Sequence, residues 1–223
     1  MPTKRNNMPS SMPRKSRTVM IATLGGKPQV LTFALDLLLA ETHGGIASVF
    51  ALHFSPASDA RLAASLHKLQ AEFLSHRAYS GIRFESVAIE EHLAERPPRA
   101  ISESDDRVAA HAIWMTAHRL FTRLRTNDMT FELCITGGPR LIATQTLSVA
   151  TVLFAPHDHC WHLYTPRSVR ETAGDGEFLH LAEPAEFGTQ LVDVPILPVS
   201  MLIPGLQAAA SQSPEGILAE GKQ

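Results

Sequence analysis

Read for hydrophobic period, the chain alternates between short apolar runs and longer stretches with a helical apolar face. TVMIATL (18–24) is a β-branched apolar run and predicts a buried strand. From Gln29 to Glu41, Val30, Phe33, Ala34, Leu37 and Leu38 recur at helical spacing. GIASVFALHF (45–54) predicts a second strand, and Ser58 is placed to start a helix carrying Leu62, Leu66, Leu69 and Phe73 on one face. IRFESVAI (82–89) alternates like a strand, and RPPR at 96–99 breaks the pattern. Ser104 or Ser102 can cap a long helix running to about Arg125. FELCIT (131–136) is the fourth strand, a helix follows from Pro139 to Phe154, and HCWHLYT (159–165) is the fifth strand. Residues 166–190 read as irregular, and LVDVPILPV (191–199) as a last extended segment.

Strands alternating with helices of this length predict βαβ crossovers, hence a mainly parallel, Rossmann-like α/β sheet with helices on both faces. One domain is expected over 18–205. A basic, disordered arm (1–17, with three prolines and five basic residues) precedes it, and a flexible tail (206–223) follows. No effector domain is expected after residue 205.

Composition narrows the classes. The chain has 223 residues, 44% of them hydrophobic, enough for one sizeable core. A net charge of −2 gives no global field for long nucleic acid but leaves room for a local anion site. Cys134 and Cys160 sit in apolar runs, as in a reducing compartment. No apolar run approaches the roughly 20 residues of a membrane span, and no secretory leader is visible, so a cytoplasmic protein is expected.

The candidate chemistry lies in two turns. Thr23-Leu24-Gly25-Gly26-Lys27-Pro28 follows the first strand, and Thr136-Gly137-Gly138-Pro139-Arg140 follows the fourth. In a doubly wound sheet these loops meet where the winding reverses, beyond the carboxyl ends of the strands. A lone Gly-Gly after a strand is ordinarily a tight turn. Two of them, each with a cation and a helix start, predict a site for phosphate groups. Neither G-x-G-x-x-G nor a P-loop is present, which disfavours a dinucleotide or nucleoside-triphosphate enzyme. His53 ends the second strand near this crevice and is a candidate ligand contact or general base. His157, His159, Cys160 and His162 fall on opposite faces of a strand, so one metal ion cannot collect all four. No cofactor or metal is expected.

ATLGGKPQVLTFALDLLL (22–39), ITGGPRLIATQTLSVATVLF with PHDHCWHLY (135–164), and VDVPILPVSMLIP (192–204) resemble, in order, segments of the CRISPR-associated Rossmann-fold (CARF) family, ring-nuclease type. The resemblance implies a homodimer that binds a cyclic oligoadenylate, usually cyclic tetra-adenylate, across paired crevices. It also implies metal-independent opening of that ring by the ribose 2′-hydroxyl, giving a 2′,3′-cyclic phosphate and ending CRISPR signalling. Carried onto this chain, Lys27 and Arg140 take the catalytic positions. Thr23, Leu24, Gly25, Gly26, Gln29, His53, Thr136, Gly137, Gly138 and Pro139 take the ligand-binding ones. Two positions depart from the pattern: Lys27 replaces a small hydroxyl residue, and Pro139-Arg140 replaces Arg-Lys. Arginine stabilises phosphorane charge but donates protons poorly. The alternative is therefore a CARF sensor or accessory protein that binds the ring, or a CRISPR protein partner, without turnover.

Overall fold

A computed structural model describes residues 17–42, 45–92, 97–102, 106–126, 129–181 and 188–202. The main sheet contains β1 (Arg17–Thr23), β2 (Ile46–His53), β3 (Arg83–Ala88), β6 (Met129–Cys134), β7 (His159–Tyr164) and β8 (Gln190–Asp193). A small antiparallel ribbon, β4 (Glu90–Glu91) and β5 (Arg99–Ala100), stands apart. The helices are α1 (Gln29–Glu41), α2 (Ala60–Ser75), α3 (Asp106–Leu124), α4 (Arg140–Leu153), α5 (Arg167–Ala173) and the single turn α6 (Val199–Leu202).

The sheet order is β3-β2-β1-β6-β7-β8, parallel throughout except for the antiparallel β7–β8 edge. This is the expected Rossmann-like α/β sheet. β1 is central because both its faces are apolar. Val19 and Ile21 join one core with Phe50, Leu52, Phe131 and Leu133, under Ile113 and Phe121 of α3 and Ile142 and Val149 of α4. Met20 and Ala22 join the opposite core with Val49 and Ala51, under Leu31, Leu35 and Leu38 of α1 and Leu62 and Leu69 of α2. A strand buried on both sides needs a continuous apolar run, which TVMIATL supplies.

Several boundaries move for identifiable reasons. The helix expected from Ser58 starts at Ala60, because Asp59 caps it: its Oδ1 accepts from the backbone N–H of Arg61 (2.9 Å) and Leu62 (3.1 Å). Residues 166–190, expected to be irregular, contain α5. Its apolar stripe is only Val169 and Ala173, one turn apart and both buried, too short to register as a period. β8 ends at Asp193, two residues before Pro195, and α6 begins after Pro198. Arg17, assigned to the basic arm, opens β1. The rest of that arm, the expected tail 206–223 and the candidate cap Ser104 lie outside the described residues.

Among the described residues, no helix is long and apolar enough to cross a membrane.

Candidate functional site

The strand order places β1 beside β6, so the two glycine turns leave neighbouring strands at the point where the sheet reverses direction. They touch directly. The Thr23 hydroxyl donates to the Gly137 carbonyl at 2.5 Å. A Cβ on Gly137 would sit 2.1 Å from the Thr23 carbonyl oxygen, and one on Gly25 would sit 2.8 Å from Gly138 Cα. Gly138 has φ +74°, and a Cβ there would lie 2.6 Å from the Leu24 carbonyl oxygen. The glycines thus serve first to let two backbones approach each other. Gly26 faces elsewhere: its Cβ would meet Arg61 Cβ of α2 at 2.8 Å. Thr23 and Leu24 are buried, with the Leu24 side chain in the core and its N–H donating to Leu52.

Beyond this contact, α1 and α4 begin within a few residues of the touching turns, on opposite faces of the sheet. Pro28 occupies the α1 cap position and Pro139 that of α4. Neither start has a side-chain cap or an acidic residue in its first turn. α2, by contrast, has Asp59. The Val30 and Leu31 N–H groups of α1 bond back to the Lys27 and Pro28 carbonyls (3.3 and 3.0 Å), and the Ile142 N–H of α4 to that of Pro139 (3.1 Å). What each start offers is the partial positive charge of the helix, with no acidic residue in its first turn to offset it. Lys27 and Arg140 are exposed beside these starts, and among the described residues no carboxylate pairs with either.

A cavity of about 140 Å³ opens next to the β1 turn, at the carboxyl ends of β6 and β7. Lys27, Gln29, Thr136, His162, Tyr164 and Arg170, with Thr165, supply its polar side chains. Arg140, the glycines and His53 are not part of its lining. The Gln29 amide donates from Nε2 to the Gly174 carbonyl at the end of α5 (2.7 Å), while its buried Oε1 has no partner among the described residues. Thr136 Oγ1 accepts from the Leu163 N–H at 2.5 Å and lies 3.4 Å from His162 Nδ1.

Arg170, His162 and Tyr164 were not among the expected site residues. The first stands on α5, the helix its sequence hid. The other two belong to a strand read only for metal ligands.

His53 is buried at the end of β2. The Ile89 N–H donates to its carbonyl (2.7 Å), and the Ser55 N–H to that of Ile101 (2.7 Å), so the chain beyond β3 and β5 closes over it. His53 Nδ1 lies 2.6 Å from the Phe54 carbonyl, which can only accept, so Nδ1 carries the proton. Burial holds its pKa below the ordinary histidine value, against a smaller upward pull from that bond. Both cysteines are free and buried. Burial raises the Cys134 thiol, and burial with Cys134 nearby pushes Cys160 up to about 12. In β7, His159 stacks on Trp161 and Cys160 turns into the opposite core, so these residues do not converge on one ion.

Comparison with curated proteins returns no match. The family model described as CRISPR-associated protein NE0113 matches residues 27–220. That span runs from the first site cation through the second glycine turn and past β8, and the chain accordingly belongs to the CRISPR-associated NE0113 protein family.

Proposed function

We propose that the crevice between the β1 and β6 turns binds a cyclic oligoadenylate, cyclic tetra-adenylate first among them, and opens it by attack of a ribose 2′-oxygen on the adjacent phosphate. The observation that carries this reading is the pair of helix starts without a capping side chain, each beside a cation that has no carboxylate partner among the described residues, and each a few residues beyond the packed glycine turns. Such a pair favours a ligand with more than one phosphate. The CRISPR-associated family supports a messenger of that defence system as the ligand.

The cavity supports a shared site. At about 140 Å³ it is smaller than the roughly 300 Å³ at which ligand pockets usually begin. One crevice therefore holds a fragment of the ring, and a two-fold homodimer supplies the rest. The buried, unpartnered Gln29 Oε1 suits a ribose hydroxyl. In the cleavage step the 2′-oxygen forms a bond to phosphorus, the 5′-oxygen leaves, and the proton passes from the first oxygen to the second through solvent. The protein's share is alignment, with Lys27 and Arg140 answering the charge that builds on the phosphorane.

The second reading, binding without turnover, is favoured by His53. It is buried off the cavity, which leaves no histidine base from β2 at the reacting oxygen. Incubation of the protein with cyclic tri-, tetra- and hexa-adenylate, followed by chromatography, separates the two. Linear products ending in a 2′,3′-cyclic phosphate, with a 2′-deoxy ring bound but uncut, are the expected result. Tight binding with no products makes the protein a sensor, and no binding to any ring overturns both readings.

A further inference from the structure

Away from the crevice, the end of α2 meets residues 174–181. Glu72 and His76 stand four residues apart at the last turn of α2, a spacing that puts both on one side. His180 is laid across them. Its Nε2 lies 3.0 Å from Glu72 Oε1, and its ring stacks on that of His76 with centroids 4.0 Å apart. One ligand atom from each of the three lies within 4.8 Å of the others. An outer layer orients His180: its Nδ1 is 2.8 Å from Asp36 Oδ2 on α1, and the Tyr79 hydroxyl donates to Asp36 Oδ1 at 2.7 Å. His76 Nδ1 is buried and has no partner among the described residues.

We propose that Glu72, His76 and His180 form a binding site for a zinc-class divalent transition-metal ion, with Asp36 and Tyr79 orienting the His180 ring. Two imidazoles and one carboxylate are a zinc donor set, whereas calcium and magnesium call for six or more oxygens. The Asp36 contact fixes the proton on Nδ1 and leaves Nε2 to the metal, the arrangement usual for a ligating histidine. The ion takes the place of the hydrogen between His180 Nε2 and Glu72, and that proton leaves to solvent. It also gives the buried His76 Nδ1 the partner it lacks, turning that ring out of its stack.

The structural consequence is local. Residues 174–181 already lie along α1 and α2. Gln29 holds the Gly174 carbonyl, the Thr32 hydroxyl holds that of Leu179, and Lys68 holds those of Asp175 and Gly176. An ion shared by Glu72, His76 and His180 replaces the His180–Glu72 hydrogen bond with coordination bonds that tie this strap to the end of α2. The site stands independently of the ligand proposed for the crevice.

The test uses the full chain without a histidine tag, stripped with a chelator and titrated with cobalt(II) and then zinc. Saturation at one ion per chain is expected, with the visible absorption of tetrahedral cobalt bleached by zinc. His76→Ala and His180→Ala should lose this binding, and Asp36→Asn should weaken it by about 10- to 100-fold. His157→Ala, at an exposed histidine, should bind like wild type. If the histidine variants fail to fold, Glu72→Gln decides: it keeps the shape of the helix end and should abolish the cobalt band. Binding that never saturates at one equivalent, or that survives Glu72→Gln unchanged, overturns the site and leaves an Asp36–His180–Glu72 proton clamp.

Discussion

At the amino ends of the central strands, the Asp158 side chain is completely buried and each of its oxygens is answered twice. Oδ1 accepts from Arg125 Nη1 (3.2 Å) and the Phe131 N–H (2.8 Å); Oδ2 accepts from Arg125 Nη2 and the Ala155 N–H (2.7 Å). The Arg125 guanidinium also bonds the Met129 and Leu153 carbonyls and lies 4.0 Å over the Phe131 ring. At the carboxyl ends the finish is the opposite. Two helix starts have no side-chain cap, two cations have no carboxylate among the described residues, and Gln29 Oε1 and His53 Nε2 are buried without partners. The same sheet is closed at one end and left open at the other. The two helix starts without a capping side chain and their exposed cations lie together at the carboxyl ends, which is where the proposed ligand would sit.

The comparison predicts that mutations at the two ends have different currencies. The largest effect belongs to the closed end. Arg125→Ala leaves the Asp158 carboxylate buried without its cation, and the expected loss is about 3–5 kcal/mol in urea unfolding. At temperatures where the variant is still folded, its affinity for cyclic tetra-adenylate should match wild type. A loss under 1 kcal/mol would mean that the amino end is not the anchor described here.

Next come the glycines that join the two turns. Gly138→Ala meets both a positive φ and the Leu24 carbonyl at 2.6 Å, with backbone on both sides and no flexible side chain to give way. Strain of about 1–3 kcal/mol is expected, together with loss of ring binding, because the helix starts would be pushed apart. Gly81→Ala is the control. It has φ +87° but nothing within 4 Å of its Cβ, so it should cost only about 1–2 kcal/mol and leave binding intact. Equal effects of the two substitutions on binding would remove the turn–turn contact from the argument.

What the sequence disclosed about these regions follows from the range of the interactions. Local periods located β1, α1, α2 and α4, because burial on one or both faces imposes a period of 2 or 3.6. The pairing of the glycine turns was legible too, since strand order is a topological rule. Why the residues are glycine was not: the contact that forbids a side chain joins Thr23 to Gly137 across 114 positions. The same blindness covers Arg170, whose short helix has a stripe of only two apolar residues. It also covers His180, whose partners lie 108 and 144 residues away. Only the four-residue spacing of Glu72 and His76 carried a local trace of that cluster.

At the open end, Lys27→Ala and Arg140→Ala should leave stability within about 0.5 kcal/mol of wild type, as exposed substitutions do. Each should weaken binding of cyclic tetra-adenylate by about 1.5–3 kcal/mol, the value of a charge-assisted phosphate contact. Calorimetry and urea unfolding on the same samples check both halves. If cleavage occurs, Arg140→Ala should lower kcat more than it lowers affinity, because phosphorane charge is complete only in the transition state. Wild-type affinity in both variants would make the open end an accident of packing.

The smallest effect concerns His53 and is read in pH. Burial holds the pKa of this ring in the folded protein below its unfolded value of 6.5, because the charged form would lose its hydration, against a smaller upward pull from the Phe54 carbonyl. Below 6.5 the unfolded chain therefore takes up a proton that the folded chain refuses, and stability falls as pH drops towards the folded pKa. Above 6.5 both states are neutral and the contribution is flat. His53→Leu removes the titrating group, so its unfolding free energy should decline less than that of wild type between neutral and mildly acidic pH. The ring's own titration, followed by NMR, should have its midpoint below 6.5. A midpoint at or above that value, with identical pH slopes for the two proteins, would show that His53 is open to solvent, and would restore it as a candidate base for the crevice.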